Sequence, residues 1–285
     1  MSILVAVLAG ALIGLSLGAL GGGGSILAVP VLVYLLDQSA AQATTGSLVV
    51  VGFTSLVGAV TAQRSGNVML GRGLVFGAVA VGGVVAGAKA SAHVPDQVLL
   101  ASFAALMLVV GAVMALRQRE HARQARDFAP DSLADPETAR TQRPTLDDPI
   151  ITFSPTFACQ CPQALKVLVA ATLVGLLTGF LGVGGGFLVV PALALALGMP
   201  IVYAAGTSLV VITLTSAAAL AIRSGIGVTP DWTPVLVLTA VAAVAGYAGA
   251  RMADRIDTHK LSIAFTVLVL GVAVYTATRA LPALL

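Results

Sequence analysis

The stretch Leu17–Leu32, LGALGGGGSILAVPVL, places four consecutive glycines inside one of the most apolar runs of the chain. Glycine is among the poorest helix formers, so four in a row favour a break in any helix built around them. A continuous helix over Leu4–Leu36 would be roughly 48 Å long at 1.5 Å per residue. The hydrocarbon core of a bilayer is only about 30 Å thick. We therefore predict that the chain breaks at Gly21–Gly24.

The composition of the chain is that of an integral membrane protein. Of its 285 residues 58% are hydrophobic and 9% are charged, whereas a soluble domain carries about 25% charged residues. The first apolar segment lacks a basic n-region, so we interpret it as a retained membrane segment and not as a signal peptide. The prediction is an all-α, polytopic, multi-pass protein of the cell (plasma or inner) membrane, with about 8–10 membrane segments.

Charged residues are concentrated in the middle of the sequence. Residues 117–166 hold 14 of the 27 charged residues, seven of each sign, in a segment that also contains prolines. Such a segment is typical of a solvated, partly disordered linker. We predict an N-terminal membrane repeat over residues 1–117, a polar cytoplasmic linker over 118–164 and a C-terminal membrane repeat over 165–285. Cys159 and Cys161 lie at the end of this linker without partner ligands, so no metal site is predicted there.

The two apolar halves repeat each other. Gly14–Pro30 aligns with Gly175–Pro191 at a constant offset of 161 residues, and the same offset pairs SLVV at Ser47 with SLVV at Ser208. Duplicated halves are frequent in secondary transporters. With a cytoplasmic linker, inverted halves place 12 Lys/Arg inside and 3 outside, whereas parallel halves give 11 and 4. The positive-inside rule thus favours inverted repeats by one charge, and parallel repeats are the alternative.

The glycine breaks predict an anion site. Irregular backbone at membrane depth is tolerated where it is buried in protein or lines a wet cavity, and the start of the helix that follows favours an anion. Pro30 and Pro191 are expected early in these short helices, where a missing N–H costs little. The predicted substrate-binding residues are Gly21, Gly22, Gly23, Gly24 and Ser25 in the first break, and Gly182, Gly184, Gly185 and Gly186 in the second. The alternative is close helix packing, which Gly14-x-x-x-Gly18 fits well.

A second pair of segments adds hydroxyl groups. ATTGSLVV (residues 43–50) and AAGTSLVV (residues 204–211) open the third apolar piece of each half. Their hydroxyls, beside another helix N-terminus, suit a small oxyanion. N-capping is the alternative role, since Ser and Thr cap helices routinely. The candidate ligands here are Thr45, Gly46, Ser47, Gly206, Thr207 and Ser208.

The cations and carboxylates constrain the mechanism. Arg64 and Arg223 are expected in loops, and Lys89 and Arg251 near helix ends, all mainly as topology anchors. No Asp or Glu lies deep inside an apolar piece, and buried carboxylates are what mark proton relays. We therefore favour efflux driven by the membrane potential over proton antiport. The sequence has no H-E-x-x-H or G-x-S-x-G motif, so no enzyme activity, catalytic residue, metal, cofactor or nucleic-acid partner is predicted.

The doubled motif, GALGGGGSILAVP and GFLGVGGGFLVVP followed by GSLVV or GTSLVV, resembles the sulfite exporter TauE/SafE family of membrane permeases. The resemblance covers both halves but not the linker. It implies a secondary transporter that exports sulfite, thiosulfate, sulfonates such as sulfoacetate, or other small organic anions. It also implies that binding falls on Gly21–Ser25, Gly182–Gly186, Thr45–Ser47 and Gly206–Ser208. An anion channel or passive pore is the alternative, and a homo-oligomer stays open.

Overall fold

A computed structural model describes residues 2–91, 93–95, 97–99, 101–109, 112, 161–182, 185–224, 230–252 and 271. In these residues the regular structure is helical, without a β-strand. The all-α prediction is therefore confirmed. Most of the predicted linker and of the last apolar piece lies outside the described residues.

The described helices follow the order of the two predicted halves. The first half contains α1 (Ser2–Leu20), α2 (Ser25–Pro30) continued by a π-helix (Val31–Leu35), α3 (Ala40–Arg64) and α4 (Leu70–Ser91). A further apolar helix spans Gln97–Val109. The second half contains α5 (Cys161–Leu181), α6 (Gly186–Ala196), α7 (Ile201–Ser224) and α8 (Trp232–Met252).

Four of these helices are long and apolar enough to cross a bilayer. They cover Ala40–Arg64, Leu70–Ser91, Tyr203–Ser224 and Trp232–Arg251. Shorter apolar stretches cover Leu4–Ala19 in α1 and Leu165–Leu181 in α5. Length and composition together make this an integral membrane protein.

Glycines allow the two tightest helix pairs to approach closely. In the pair α1 and α8, a Cβ on Gly14 or Gly18 would overlap the carbonyl of Ala242 or Gly246. In the pair α4 and α5, Gly175 and Gly179 meet the carbonyls of residues 80 and 84 in the same way. The close-packing interpretation thus describes Gly14 and Gly18, because small residues let membrane helices approach closely.

Helices α3 and α7 pack against each other and run antiparallel. A Cβ on Gly52 would lie 3.0 Å from Ser216 Cβ, and one on Gly58 would lie 3.1 Å from Leu209 Cδ1. Higher numbers on α3 therefore face lower numbers on α7. The two helices that carry the repeated SLVV motif point in opposite directions.

Proline positions differ from the prediction. Pro30 and Pro191 are each the sixth residue of their helix, beyond the first turn where a missing N–H costs nothing. After Pro30 the chain continues as a π-helix, Val31–Leu35, and the Val31 N–H bonds to the carbonyls of Ala28 and Leu27. Local changes of helix type of this kind satisfy the backbone groups that a membrane proline leaves without partners.

Candidate functional site

Each half contains a short non-helical segment at its glycine cluster. Between α1 and α2 the chain passes through residues 21–24, with φ of +71° at Gly21 and +153° at Gly22. Between α5 and α6, φ is +67° at Gly182 and +64° at Gly185. Only glycine adopts these conformations without strain. Gly184, also a predicted ligand, lies outside the described residues.

The two segments meet each other in the protein interior. A Cβ on Gly22 would overlap the carbonyl of Gly186. In return, a Cβ on Gly186 would lie 2.6 Å from Gly22 O and 2.8 Å from Ser25 Oγ. The Ser25 hydroxyl donates to Gly22 O at 2.8 Å. The predicted ligands Gly22, Ser25 and Gly186 therefore form one contact between the two halves.

A serine from the opposite half holds each segment. Ser208 Oγ of α7 donates to Gly21 O, and Ser47 Oγ of α3 donates to Gly182 O. Both serines are fully buried. The two bonds are related by the offset of 161 residues found in the sequence. In this structure, then, the predicted hydroxyl ligands bind the backbone of the breaks.

Backbone N–H groups of the first break are available as donors. The N–H groups of Ser25, Ile26 and Leu27 bond to carbonyls of residues 22–24. Among the described residues no acceptor is found for the N–H groups of Gly22, Gly23 and Gly24. Gly23 is partly exposed, whereas its neighbours are buried. Three N–H donors at a helix start, without an acceptor in the described part of the chain, are the chemistry that binds an oxyanion.

The other predicted ligands lie apart from the breaks. Thr45 Oγ1 donates to Ala41 O at 3.0 Å, and Thr207 Oγ1 accepts the Met69 N–H at 3.0 Å. Gly46 packs against the Val235 side chain. Gly206 packs against the Asn67 carbonyl. Of the predicted ligands in these two segments, the serines alone bond to the glycine breaks within the described residues. Thr44 and Ala205, in the same segments, pack against Gly182 and Gly21.

The two hydroxyl-bearing segments, residues 43–50 and 204–211, lie further into their helices than the sequence suggested. The expectation that they sit at helix N-termini was wrong, because α3 begins at Ala40 and α7 at Ile201. Ser39 caps α3, and it forms a capping box with Gln42. Thr45 and Ser47 therefore lie beyond the first turn.

Comparison with known proteins assigns the family. A family model described as "Sulfite exporter TauE/SafE" matches residues 6–276. The chain belongs to the TauE/SafE family. Two relatives described as "Probable membrane transporter protein", from Xylella fastidiosa strains 9a5c and Temecula1, are each 30% identical over 98% of this chain and 96% of their own length. The "Probable membrane transporter protein YdhB" of Bacillus subtilis is 30% identical over 76% of this chain and 74% of its own. No solved structure matches significantly.

The comparisons confirm the resemblance that the glycine motifs indicated. Both the family and its relatives support a membrane transporter, and this TauE/SafE protein is assigned as one. The assignment agrees with a buried contact between two helix breaks, since transporter sites are commonly built where discontinuous helices meet.

One buried residue of this TauE/SafE protein was missed as a site residue. Arg223 belongs to the last turn of α7 and not to a loop, and it is only 7% exposed. Its guanidinium donates to Thr44 Oγ1 at 2.9 Å, Ser91 Oγ at 3.0 Å and Gly179 O at 3.1 Å. Arg64, its counterpart in the first half, ends α3 and is exposed. The sequence gives both the same RSG context, so it carries no signal that separates them.

A second missed feature is a set of buried hydroxyls where α3 and α7 cross. Thr54 and Ser55 of α3 recur as Thr215 and Ser216 of α7 at the same offset of 161. All four are buried, and no partner is found in the described residues for the hydroxyls of Thr54, Ser55 and Ser216. The repeated Thr-Ser pair was the available signal.

Proposed function

We propose that this protein is a secondary transporter of the cell (plasma) membrane that exports small sulfur-containing or organic anions. The substrate class comprises sulfite, thiosulfate and sulfonates such as sulfoacetate. The observation that supports this proposal is the contact of the two glycine breaks at Gly22 and Gly186. It lies next to the N–H groups of Gly22–Gly24, for which the described residues offer no acceptor.

The chemistry of the breaks suits an oxyanion. Backbone N–H groups at a helix start donate to negatively charged oxygens and need no cationic side chain. Carbonyl oxygens in the same segments would repel an anion. Ser25, Ser47 and Ser208 donate to three of those carbonyls, which reduces this repulsion. The serines therefore act in substrate binding by positioning the break.

The helix directions support inverted halves. Corresponding helices α3 and α7 run antiparallel, as inverted repeats require. In such transporters the broken helices meet near the middle of the membrane, and one repeat rocks against the other to give alternating access. The contact between Gly22 and Gly186 is the position around which this motion would occur.

Export is driven by the membrane potential in this proposal. The described helices α1–α8 contain no Asp or Glu that could relay protons. A negative cytoplasm favours expulsion of an anion by about 2.3 kcal/mol per charge per 100 mV. An exporter of this kind needs no coupling ion.

The test is flux of sulfite and sulfoacetate from proteoliposomes with an imposed potassium-diffusion potential. The proposal predicts saturable flux that follows the potential and is accelerated by substrate on the opposite side. Non-saturable flux without that acceleration would favour the passive pore. Flux that ignores the potential but follows a pH gradient would contradict the proposed driving force.

A further inference from the structure

We propose that Arg223 binds the charge of the transported anion at the second glycine break and makes this half-site selective for dianions. The inference rests on the proposed anion transport and deepens it. It assigns the two breaks different roles, a charged half-site at Gly182 and a neutral one at Gly21.

Arg223 is joined to the second break through Thr44. Arg223 Nη1 donates to Thr44 Oγ1 at 2.9 Å. The Thr44 side chain lies against Gly182, where a Cβ would be 2.5 Å from Thr44 Cβ. Arg223 Nη2 donates to the carbonyl of Gly179, three residues before Gly182. The guanidinium therefore lies within one helical turn of the break.

Within the described part of the chain, no acidic side chain balances the positive charge of Arg223. Its acceptors in the described residues are two hydroxyls and the carbonyls of Gly179 and Phe180, all of them uncharged. Its Nε–H has no acceptor there. Burying a cation without an anionic partner is strongly unfavourable. An anion at the break would supply the missing charge and an acceptor for Nε–H.

Helix capping accounts for only part of this arrangement. An arginine near a helix C-terminus can bond the last carbonyls, as Arg223 does at the end of α5. A capping residue can do so while its charge remains in water, as long cationic side chains do elsewhere. Capping leaves unexplained why Arg223 is buried and why its Nε–H has no acceptor in the described part of the chain.

The first half lacks the equivalent arrangement. Ala205 occupies the position that corresponds to Thr44, so no hydroxyl is present there. A Cβ on Gly21 would lie 2.5 Å from Ala205 Cα, in the same relation that joins Gly182 to Thr44. Arg64 is exposed. The two breaks therefore have equivalent backbone contacts, but the halves differ in the side chains that carry the positive charge and the hydroxyl.

The experiment compares binding of thiosulfate, a dianion, with binding of methanesulfonate, a monoanion, by the full-length protein in detergent. Isothermal titration would be run on wild type, Arg223→Gln, Arg223→Lys and the control Arg64→Gln. We expect Arg223→Gln to raise the Kd for thiosulfate about tenfold or more, as for a lost hydrogen bond to a charged group, and the Kd for methanesulfonate clearly less. Arg223→Lys should restore most of the preference, and Arg64→Gln should match wild type.

The two Kd values of one variant are measured on the same folded fraction, so their ratio separates charge selection from a loss of stability. If Arg223→Gln weakens the binding of both anions equally, or of neither, this inference is wrong while the proposal of anion transport stands. If wild type binds neither anion, this inference is wrong, and the flux of sulfite and sulfoacetate decides the proposed function separately.

Discussion

Ser47 and Ser208 occupy equivalent positions in the two halves, and each donates its proton to a glycine carbonyl in the break of the other half. Replacing either by alanine leaves a buried carbonyl without its donor, at a cost of about 1–3 kcal/mol. We expect Ser47→Ala and Ser208→Ala to lower the thermal unfolding midpoint in detergent and to reduce anion flux. Ser224→Ala is the matched control, because Ser224 is exposed and its hydroxyl bonds only within α7. Midpoints unchanged from wild type would show that these bonds do not hold the breaks.

At the same scale, the sequence identified residues that repeat but not residues that act singly. The offset of 161 pointed to Ser47 and Ser208, and both contact the breaks. Arg223 was expected to be a topology anchor in a loop, as was Arg64, because the two share their local sequence. Its burial depends on what packs around the helix end, which the local sequence does not show. Gly46 and Gly206 belong to the motif but pack against other helices. Local pattern cannot tell a glycine that packs from one that lines a site.

Among the helices, α3 and α7 pack antiparallel, which is the arrangement that the proposed inverted halves require. In a background with Cys159 and Cys161 replaced by serine, we expect Gly52→Cys with Ser216→Cys to form a disulfide on mild oxidation. A Cβ on Gly52 would lie 3.0 Å from Ser216 Cβ, and a shift of under about 1 Å reaches the usual disulfide separation. The control pair, Gly58→Cys with Ser216→Cys, is displaced by about 9 Å along α3 and should stay reduced. Crosslinking of the control pair alone would contradict this register.

The helices themselves were largely predictable, and the breaks between them less so. An apolar run of membrane length defines α4 closely, because the polar residues on either side end it. The short helices were harder, since their character depends on what surrounds them. Pro30 was expected near a helix start, but it is the last residue of α2 and is followed by a π-helix. Its position in the helix depends on where α2 begins, which the sequence does not fix.

For the whole molecule, the opposite directions of α3 and α7 predict that their C-terminal ends lie on opposite sides of the membrane. Ser65 follows α3 and Ser224 ends α7, and both are exposed. In the same cysteine-free background, we expect Ser65→Cys and Ser224→Cys to react with a membrane-impermeant maleimide from opposite faces of the membrane. With the predicted cytoplasmic linker and inverted halves, we expect Ser65 on the cytoplasmic face. Labelling of both from one face would support parallel halves instead.

The duplication and the membrane class were readable from sequence because both leave marks in composition and periodicity. The contact of the two breaks was not, since Gly22 and Gly186 are 164 positions apart in the chain and meet only in the folded molecule. The linker prediction and the last apolar piece lie almost wholly outside the described residues, and both stay predictions.

The proposed function places the path of the anion where Gly22 meets Gly186, and we would first measure sulfite flux in a Gly186→Ala variant. The added methyl group would lie 2.6 Å from Gly22 O and 2.8 Å from Ser25 Oγ, so it must separate the two breaks. Gly82→Ala in α4 is the control, because no atom lies within 4 Å of its added Cβ. We predict that reconstituted Gly186→Ala, folded as judged by its circular dichroism, loses most sulfite flux while Gly82→Ala keeps it. Wild-type flux from a folded Gly186→Ala protein would contradict the account.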